Sequence, residues 1–576
     1  MSPISLRRPF RWLVALASGC CAELTWAEQE AALGCQYAEI QPGEVDFDNP
    51  REQLRQELGL AIPENAQIGE VYVFNREIFD ATDPEEDHWI YRTANALHIR
   101  TREEAARYQL LFKSGDSYDP HILQQSERAL RDKSYLYNAW VRPFRVCGRV
   151  VDVAVVTRDL WTLLPALGFS RSGGENTTIL GLTDENFLGY GKRLAFSHKK
   201  DESRTGFTVD YQDPNLLGSR WTSQLTLSEN SDGYRRAAQF VRPFYKVGAN
   251  WSGGVAYNRE QLTQKLYYRG DSVSEFKQRL ESYGLFSGHS IGGGAFNDHR
   301  LLYGYEYAHY DFSEEAGETP PDPFPEDRIL SYPWIGYQYS EDLYFQTYNF
   351  NQIQQIEDIP TGLQLFARLG WSSESFGASE DQWVLKSGIS RALLAERLQF
   401  ADIQFDQSAY WSPSGDRMEN MLLGLQTRYL RTESKRKNSW YAALNLAYSK
   451  GLTSDLQLTL GGDNGLRGYP LRYQTGDRSF LLTLERRYYS NWHPFELFRL
   501  GGAVFVDMGR AWFPGEDNGP NNGVLHDVGI GLRLTSSRIQ VTRVLHLDIA
   551  VPLDRDEGGG EEIDGVQFLV RGRQTF

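Results

Sequence analysis

Arg467 is the residue whose type and setting most clearly call for chemistry, and that chemistry is ion pairing. It lies in the stretch Gly461 to Pro470, GGDNGLRGYP, where four glycines in ten residues permit backbone shapes and close approaches closed to other residues. A guanidinium is a planar, permanently charged fork of donors, so it seeks a carboxylate. Covalent or hydrolytic chemistry has no comparable foothold. The ten histidines are scattered, and the chain has no His-Glu-x-x-His, no Gly-x-Ser-x-Gly and no phosphate-binding glycine loop. No metal-ligand spacing occurs, so neither an enzyme nor a cofactor is expected.

The elements that must position such a loop follow from composition. Aromatic residues make up 13% of 576 residues and 53 glycines accompany them, yet the mean hydropathy is −0.50. Barrels with aromatic girdles have that balance, and soluble cores seldom do. The formal charge of −16 argues against a nucleic-acid partner, because phosphate binding needs a basic face. Arg7, Arg8 and Arg11 precede the apolar run Trp12 to Ala22, and Thr25-Trp26-Ala27 offers a cleavage site, which predicts a secretory signal peptide over 1–27. Beyond it no apolar run of about 18 residues occurs, so a membrane-spanning mature chain must be a β-barrel. Cleavage would leave Cys35 and Cys147, and in an oxidising compartment two surviving thiols are expected to pair.

Residues 28–66 are polar and turn-rich, with a helix-like stretch at 50–59, and carry no motif. From 67 the order reads strand, helix, helix, strand, strand, ending near 165. Asp119 stands at an N-cap with Pro120 at the first helical position, and Val151, Val153 and Val155 share one face of the last strand. From 176 to 576 the chain becomes a series of segments of about ten residues with period two. In 524–536, Val528, Ile530, Leu532 and Leu534 alternate with Asp527, Gly529, Gly531, Arg533 and Thr535, one set for lipid and one for a polar lumen.

The loop at 461–470 resembles the Arg-Gly-Phe/Tyr loop of the BamA/TamA superfamily, outer-membrane barrels that carry POTRA domains and assemble or translocate other proteins. Three further stretches are similar to that family: LLFKSGDSYDPHILQQSERALRDKSYL at 110–136, DENFLGYGKRLAF at 184–196, and a chain ending in Phe576. The resemblance implies a single POTRA domain over 67–165 and a transmembrane antiparallel barrel over 176–576 with the loop 451–477 folded into its lumen. It implies sixteen strands; counting segments along this chain gives up to twenty, five of them after the loop. We carry sixteen as the expectation, which requires parts of 313–433 to be loop or bent strand.

The resemblance also assigns roles. VFVDMG at 504–509 is similar to the family motif whose acidic residue binds the loop arginine, which maps that role onto Asp507. Glu485 is the second candidate, since Phe480, Leu482, Leu484 and Tyr488 on one face turn it inward. Gly468 and Tyr469 complete the lock. Phe568, Gly572 and Phe576 mark the closing strand, expected to meet a first strand near 177–189 at a short, weak seam. Expected partners are outer-membrane lipids, unfolded or partly folded client chains, and a periplasmic partner at the POTRA domain, with the barrel in the bacterial outer membrane and the POTRA domain in the periplasm. The implied function is protein assembly or translocation; a porin, receptor or surface antigen of the same fold is the alternative.

Overall fold

The computed structural model describes residues 35–54, 59–415, 417–433, 437–515, 523–539, 544–554, 563 and 565–573. The expected signal peptide and Phe576 lie outside the described residues. An N-terminal α+β domain is built from β1 (Gln36–Tyr37), α1 (Pro50–Gln53), β2 (Gln67–Arg76), α2 (Trp89–Leu97), α3 (Glu103–Arg107), α4 (Pro120–Arg131), β3 (Leu136–Cys147) and β4 (Val150–Asp159). Its sheet runs β1-β3-β4-β2, with β2 and β4 parallel. At the start of α4 the Asp119 side chain accepts from the His121 backbone N–H at 2.9 Å, and Pro120 loses nothing there because its missing donor would have no helical partner. Leu123 and Leu130 of α4 bury against Ile68, Val71, Val153 and Val155.

The described residues from 35 to 54 pack onto this domain. Gln36 and Tyr37 pair with Val146 and Arg145 at the edge of β3, and Cys35 is joined to Cys147 by a disulfide. Val45 and Phe47 then cover the other sheet face, packing with Trp140, Ala154 and Val156. A sheet with helices on one face only must bury its second face, and here the preceding chain does so. The sequence reading also missed α3, whose five residues are too few to show a period.

Among the described residues the rest of the chain closes into an antiparallel barrel of twenty strands, so the expectation of sixteen is corrected and the higher segment count holds. The stretch 313–433 is mostly wall: Arg328–Glu341, Gln364–Ser372, Gln382–Glu396, Gln399–Trp411 and Met418–Thr432 are all barrel strands. The barrel also begins earlier than 176, with Leu163–Ser172 as its first strand. That strand, LLPALGFSRS, hides from a period-two reading because two leucines stand together ahead of a proline. Proline suits a strand edge that donates little to its neighbour.

Outward residues such as Leu180, Leu182, Phe207, Leu484, Val504, Ile530, Leu532 and Phe568 are exposed and apolar, while their sequence neighbours face the lumen. The N-terminal domain lies across the rim where the first strand starts, here called the near rim. It touches turns spread around that rim: Gln109 meets Asn215 at 2.6 Å, Thr101 meets Asn186 at 2.8 Å, Arg128 meets Asp342 at 2.7 Å, and Tyr91 Oη donates to the Phe495 carbonyl at 2.7 Å.

Candidate functional site

The loop between the strands Asn438–Lys450 and Arg478–Tyr489 turns into the lumen from the far rim. It forms a short antiparallel ladder of its own, Leu458–Leu460 with Gln474–Gly476, and its apolar residues Leu460, Leu466, Tyr469 and Tyr473 bury against Ala511 and Leu525 of the wall. This packing holds the tip in place. At the tip Arg467 is buried; its Nε and Nη2 donate to the two oxygens of Asp507 at 2.6 and 3.0 Å, and Nη1 donates to Glu485 at 2.9 Å. Its guanidinium carbon lies 3.3 Å from the centre of the Phe505 ring. Two parallel bonds to one carboxylate with an aromatic face beneath is an arrangement only a planar fork can make.

The neighbouring residues extend this constellation. Gly468 N–H donates to Asp527 at 3.0 Å, and a Cβ on Gly468 would come within 2.7 Å of the Asp527 Cβ, so the glycine is required by close approach. Tyr469 Oη donates to the His526 carbonyl at 2.8 Å and contacts Asp554 at 3.1 Å. Glu485 is shared with Arg487 at 2.7 Å, Asp507 also accepts from Thr483 Oγ1 at 2.8 Å, and Asp548 pairs with Arg533 while lying 3.5 Å from Arg467. Sequence reasoning named Arg467, Gly468, Tyr469, Glu485 and Asp507 and left out Asp527, Asp548 and Phe505. Asp527 could have been found, since its alternation already turned it inward. Asp548 in HLDIAV carries the same signal.

A second insertion enters from the near rim, and nothing in the sequence reading anticipated it. The connection between Arg328–Glu341 and Gln364–Ser372 is a hairpin, Tyr344–Tyr348 against Ile356–Pro360. Its Phe350 and Ile359 pack with Phe400, Leu430, Tyr441 and Ala443, and its Ile353 with Tyr489 and Val544, all from the inner wall. Glu357 holds the hairpin tip by accepting backbone N–H groups of Phe350, Asn351 and Gln352 at 2.8 to 3.0 Å. The hairpin is also tied to the N-terminal domain, because Asp358 takes both a 2.7 and a 2.9 Å bond from Arg131 of α4. Beside the inserted loop, whose Leu458 contributes to its lining, a cavity of about 780 Å³ is lined by Phe286, Glu306, Trp334, Arg368 and Asp406.

The last strand, Gln567–Arg573, pairs with its predecessor from Ala550↔Gln567 to Val544↔Arg573, and the first strand with its successor from Leu163↔Asp184 to Ser172↔Glu175. Across the seam the register is set at Val570↔Arg171. The first strand is therefore Leu163–Ser172 and not 177–189. Phe568 points outward and Gly572 pairs with Leu545. The inserted loop straddles this seam. Arg571 of the last strand donates to the carbonyls of Gly462 and Asp463 at 3.3 and 3.1 Å, while Pro470 and Leu471 pass so close to Gly173, in the first hairpin, that a Cβ there would collide with them.

A third cluster joins the N-terminal domain to the barrel. Asp48 pairs with Arg158 of β4 at 2.7 Å, with Arg538 at 3.1 Å and with Arg499 at 3.4 Å. Glu86 also pairs with Arg538. Burial raises the Asp48 pKa, but Arg158 and Arg538 outweigh it and hold the carboxyl far below its ordinary range.

A closed antiparallel wall with an apolar outer face, two insertions in a polar lumen and a small α+β domain across one mouth defines a transmembrane β-barrel with a filled pore. The chain belongs to the Omp85 superfamily, whose domain profile matches residues 186–571. Among curated proteins none is matched by sequence. Similar solved structures include BamA from Haemophilus ducreyi lacking POTRA domains 1–3, with 13% identity over 89% of this chain and 85% of that one at a TM-score of 0.37. CdiB from Acinetobacter baumannii is 12% identical over 94% and 95% with a TM-score of 0.40, and the FrpB iron transporter from Neisseria meningitidis is 7% identical over 93% and 98% with a TM-score of 0.39. The family and the barrel support the bacterial outer membrane as its location and a general role in protein assembly or transport.

Proposed function

We propose that this barrel assembles or translocates client proteins at its seam, with the Arg467 loop as the clamp that keeps the seam shut. The observation that carries the reading is a loop that reaches both sides of the seam, at Arg571 and at Gly173, and is locked by Arg467 to Asp507 and Glu485. Holding both sides of the seam to one loop makes the buried ion pairs the resistance to opening. The N-terminal domain, with the element order of a POTRA domain, lies in the periplasm and receives the client, and the barrel acts without enzyme chemistry. The porin alternative is disfavoured by a lumen entered from both ends by folded insertions. Depletion of the protein followed by outer-membrane proteomics tests the reading. Loss of a specific set of envelope proteins, restored by the wild-type chain but not by Arg467→Ala at equal abundance, is expected. An unchanged proteome with altered solute permeability would overturn it.

A further inference from the structure

Helix α2 presents an apolar face that the protein leaves uncovered. Its inner side is well defined: Tyr91 stacks on Phe79 with ring centres 4.3 Å apart, the Asn95 side chain bonds the Phe79 backbone at 3.2 and 2.8 Å, and His98, at its C-cap, meets Asp159 at 2.9 Å. At about 100° per residue, Trp89, Ile90, Thr93 and Leu97 fall on the opposite side. Trp89 is 64% and Leu97 70% exposed, and Ile90 and the following Ile99 are exposed as well.

The position of this helix decides what it faces. Tyr91 bonds the turn 490–497, while the Arg102 N–H donates to the Gly189 carbonyl at 2.9 Å in the turn 185–192. These turns lie on either side of the seam, so the helix and the residues after it run beneath the seam's near end. Each turn also points an apolar side chain outward from a left-handed backbone: Phe495 at φ 58° and 74% exposed, Leu188 at φ 56°, and on the next turn Leu217 at φ 53° and 95% exposed. A non-glycine residue in that region is strained, and aqueous exposure of a leucine offers nothing to offset the strain. The turns continue directly from strands whose outward Leu180, Leu182, Phe196 and Leu484 meet lipid. Arg92, paired with Asp87, and Arg100, paired with Glu77, border the patch, and Arg102 and Lys192 lie over the Tyr190 ring.

We propose that α2, with the turns carrying Leu188, Leu217 and Phe495, is a lipid-binding foot that enters the headgroup and upper acyl region of the leaflet on the N-terminal domain's side, next to the seam. Apolar residues rimmed by cations, contiguous with the lipid-facing wall, fit a phospholipid surface with some anionic headgroups. This inference goes beyond the proposed function and stands on the barrel alone.

Nitroxide scanning tests it. Single cysteines at Ile90, Arg92 and Leu97 are introduced into a chain starting at residue 28, in which Cys35 and Cys147 are mutually bonded. The labelled proteins are placed in phosphatidylethanolamine/phosphatidylglycerol nanodiscs and, separately, in lipid-free amphipol, with heat-modifiability as the folding control. Positions 90 and 97 should be accessible to oxygen and shielded from a nickel chelate in nanodiscs only, with 92 open to the chelate in both. Equal chelate access at 90 and 92 in nanodiscs would overturn the proposal. So would shielding that persists in amphipol, or that requires an added protein, either of which would assign the face to a protein partner.

Discussion

Replacing Arg467 with alanine should unlock the inserted loop, and the cost can be worked from its neighbours. Glu485 keeps Arg487 and Asp548 keeps Arg533 when the guanidinium is gone, so one carboxylate, Asp507, loses its cationic partner and retains the Thr483 hydroxyl. A buried charge stripped of its partner costs about 3–5 kcal/mol. Asp507→Ala is milder. It leaves Arg467 bonded to Glu485 and close enough to Asp548 to replace one of the two lost bonds, so the net loss is about one charged hydrogen bond, roughly 1.5–3 kcal/mol. The double variant removes the orphaned carboxylate together with its partner and should be no worse than Arg467→Ala. A double-mutant cycle on unfolding of the barrel in detergent, with proteolysis of 451–477 as the local readout, is therefore expected to give a coupling of about 2 kcal/mol. Arg467→Lys should recover only part of the loss, because an ammonium cannot span both Asp507 oxygens above the Phe505 ring. A coupling within about 0.5 kcal/mol of zero would refute the argument, since it would mean that water already screens the pair.

Leu532→Arg should reduce barrel yield and lower the heat-modifiability midpoint, costing about 2–4 kcal/mol near the midplane, whereas Gly424→Arg should be tolerated because its Cβ direction is open and Asp406 lies opposite. Gly531 cannot serve as that lumen control, because a Cβ there would overlap the Asp548 carboxylate. The Asp48 contact should survive mild acid: its folded pKa lies below the unfolded value near ~3.9, so its stabilisation is present above that value and is lost only as pH falls further toward the folded pKa. Hydrogen exchange of residues 44–54 should therefore be unchanged in protection from pH 8 to 5 after correction for intrinsic rates, while Asp48→Asn loses protection throughout. Replacing 345–359 with a short turn should raise single-channel conductance in planar bilayers, and an unchanged conductance would show that the hairpin does not limit the pore.

The inward direction of Glu485 and Asp507 is legible in sequence because Leu482, Leu484, Val504 and Val506 must meet lipid, and a period of two leaves their neighbours no other side. The strand termini near the end of the chain are legible for the same reason. The hairpin at 344–360 is not. Its Phe345, Phe350, Ile353 and Ile359 bury against the inner wall while its polar residues face α4, so it carries a strand pattern with an apolar side that never meets lipid. Sequence periodicity reports burial, and in a barrel it cannot distinguish lipid from a packed lumen. The role of 28–66 is hidden for a different reason: two residues of β1, one disulfide and the carboxylate of Asp48 act through partners that lie about a hundred or more residues away.

The four additional strands change the cross-section more than the circumference. Barrel diameter grows roughly in proportion to strand number, so a ring of twenty encloses an area about 1.6 times that of a ring of sixteen. A single loop clamped to one wall can obstruct the narrower ring, but in the wider one it leaves a crescent beside it. The hairpin from the near rim, packed on the inner wall through Phe350, Ile353 and Ile359, supplies a second obstruction. Strand number and second insertion are thus linked by geometry: a relative that lost the hairpin while keeping twenty strands would leak, and one that returned to sixteen would have no room for it.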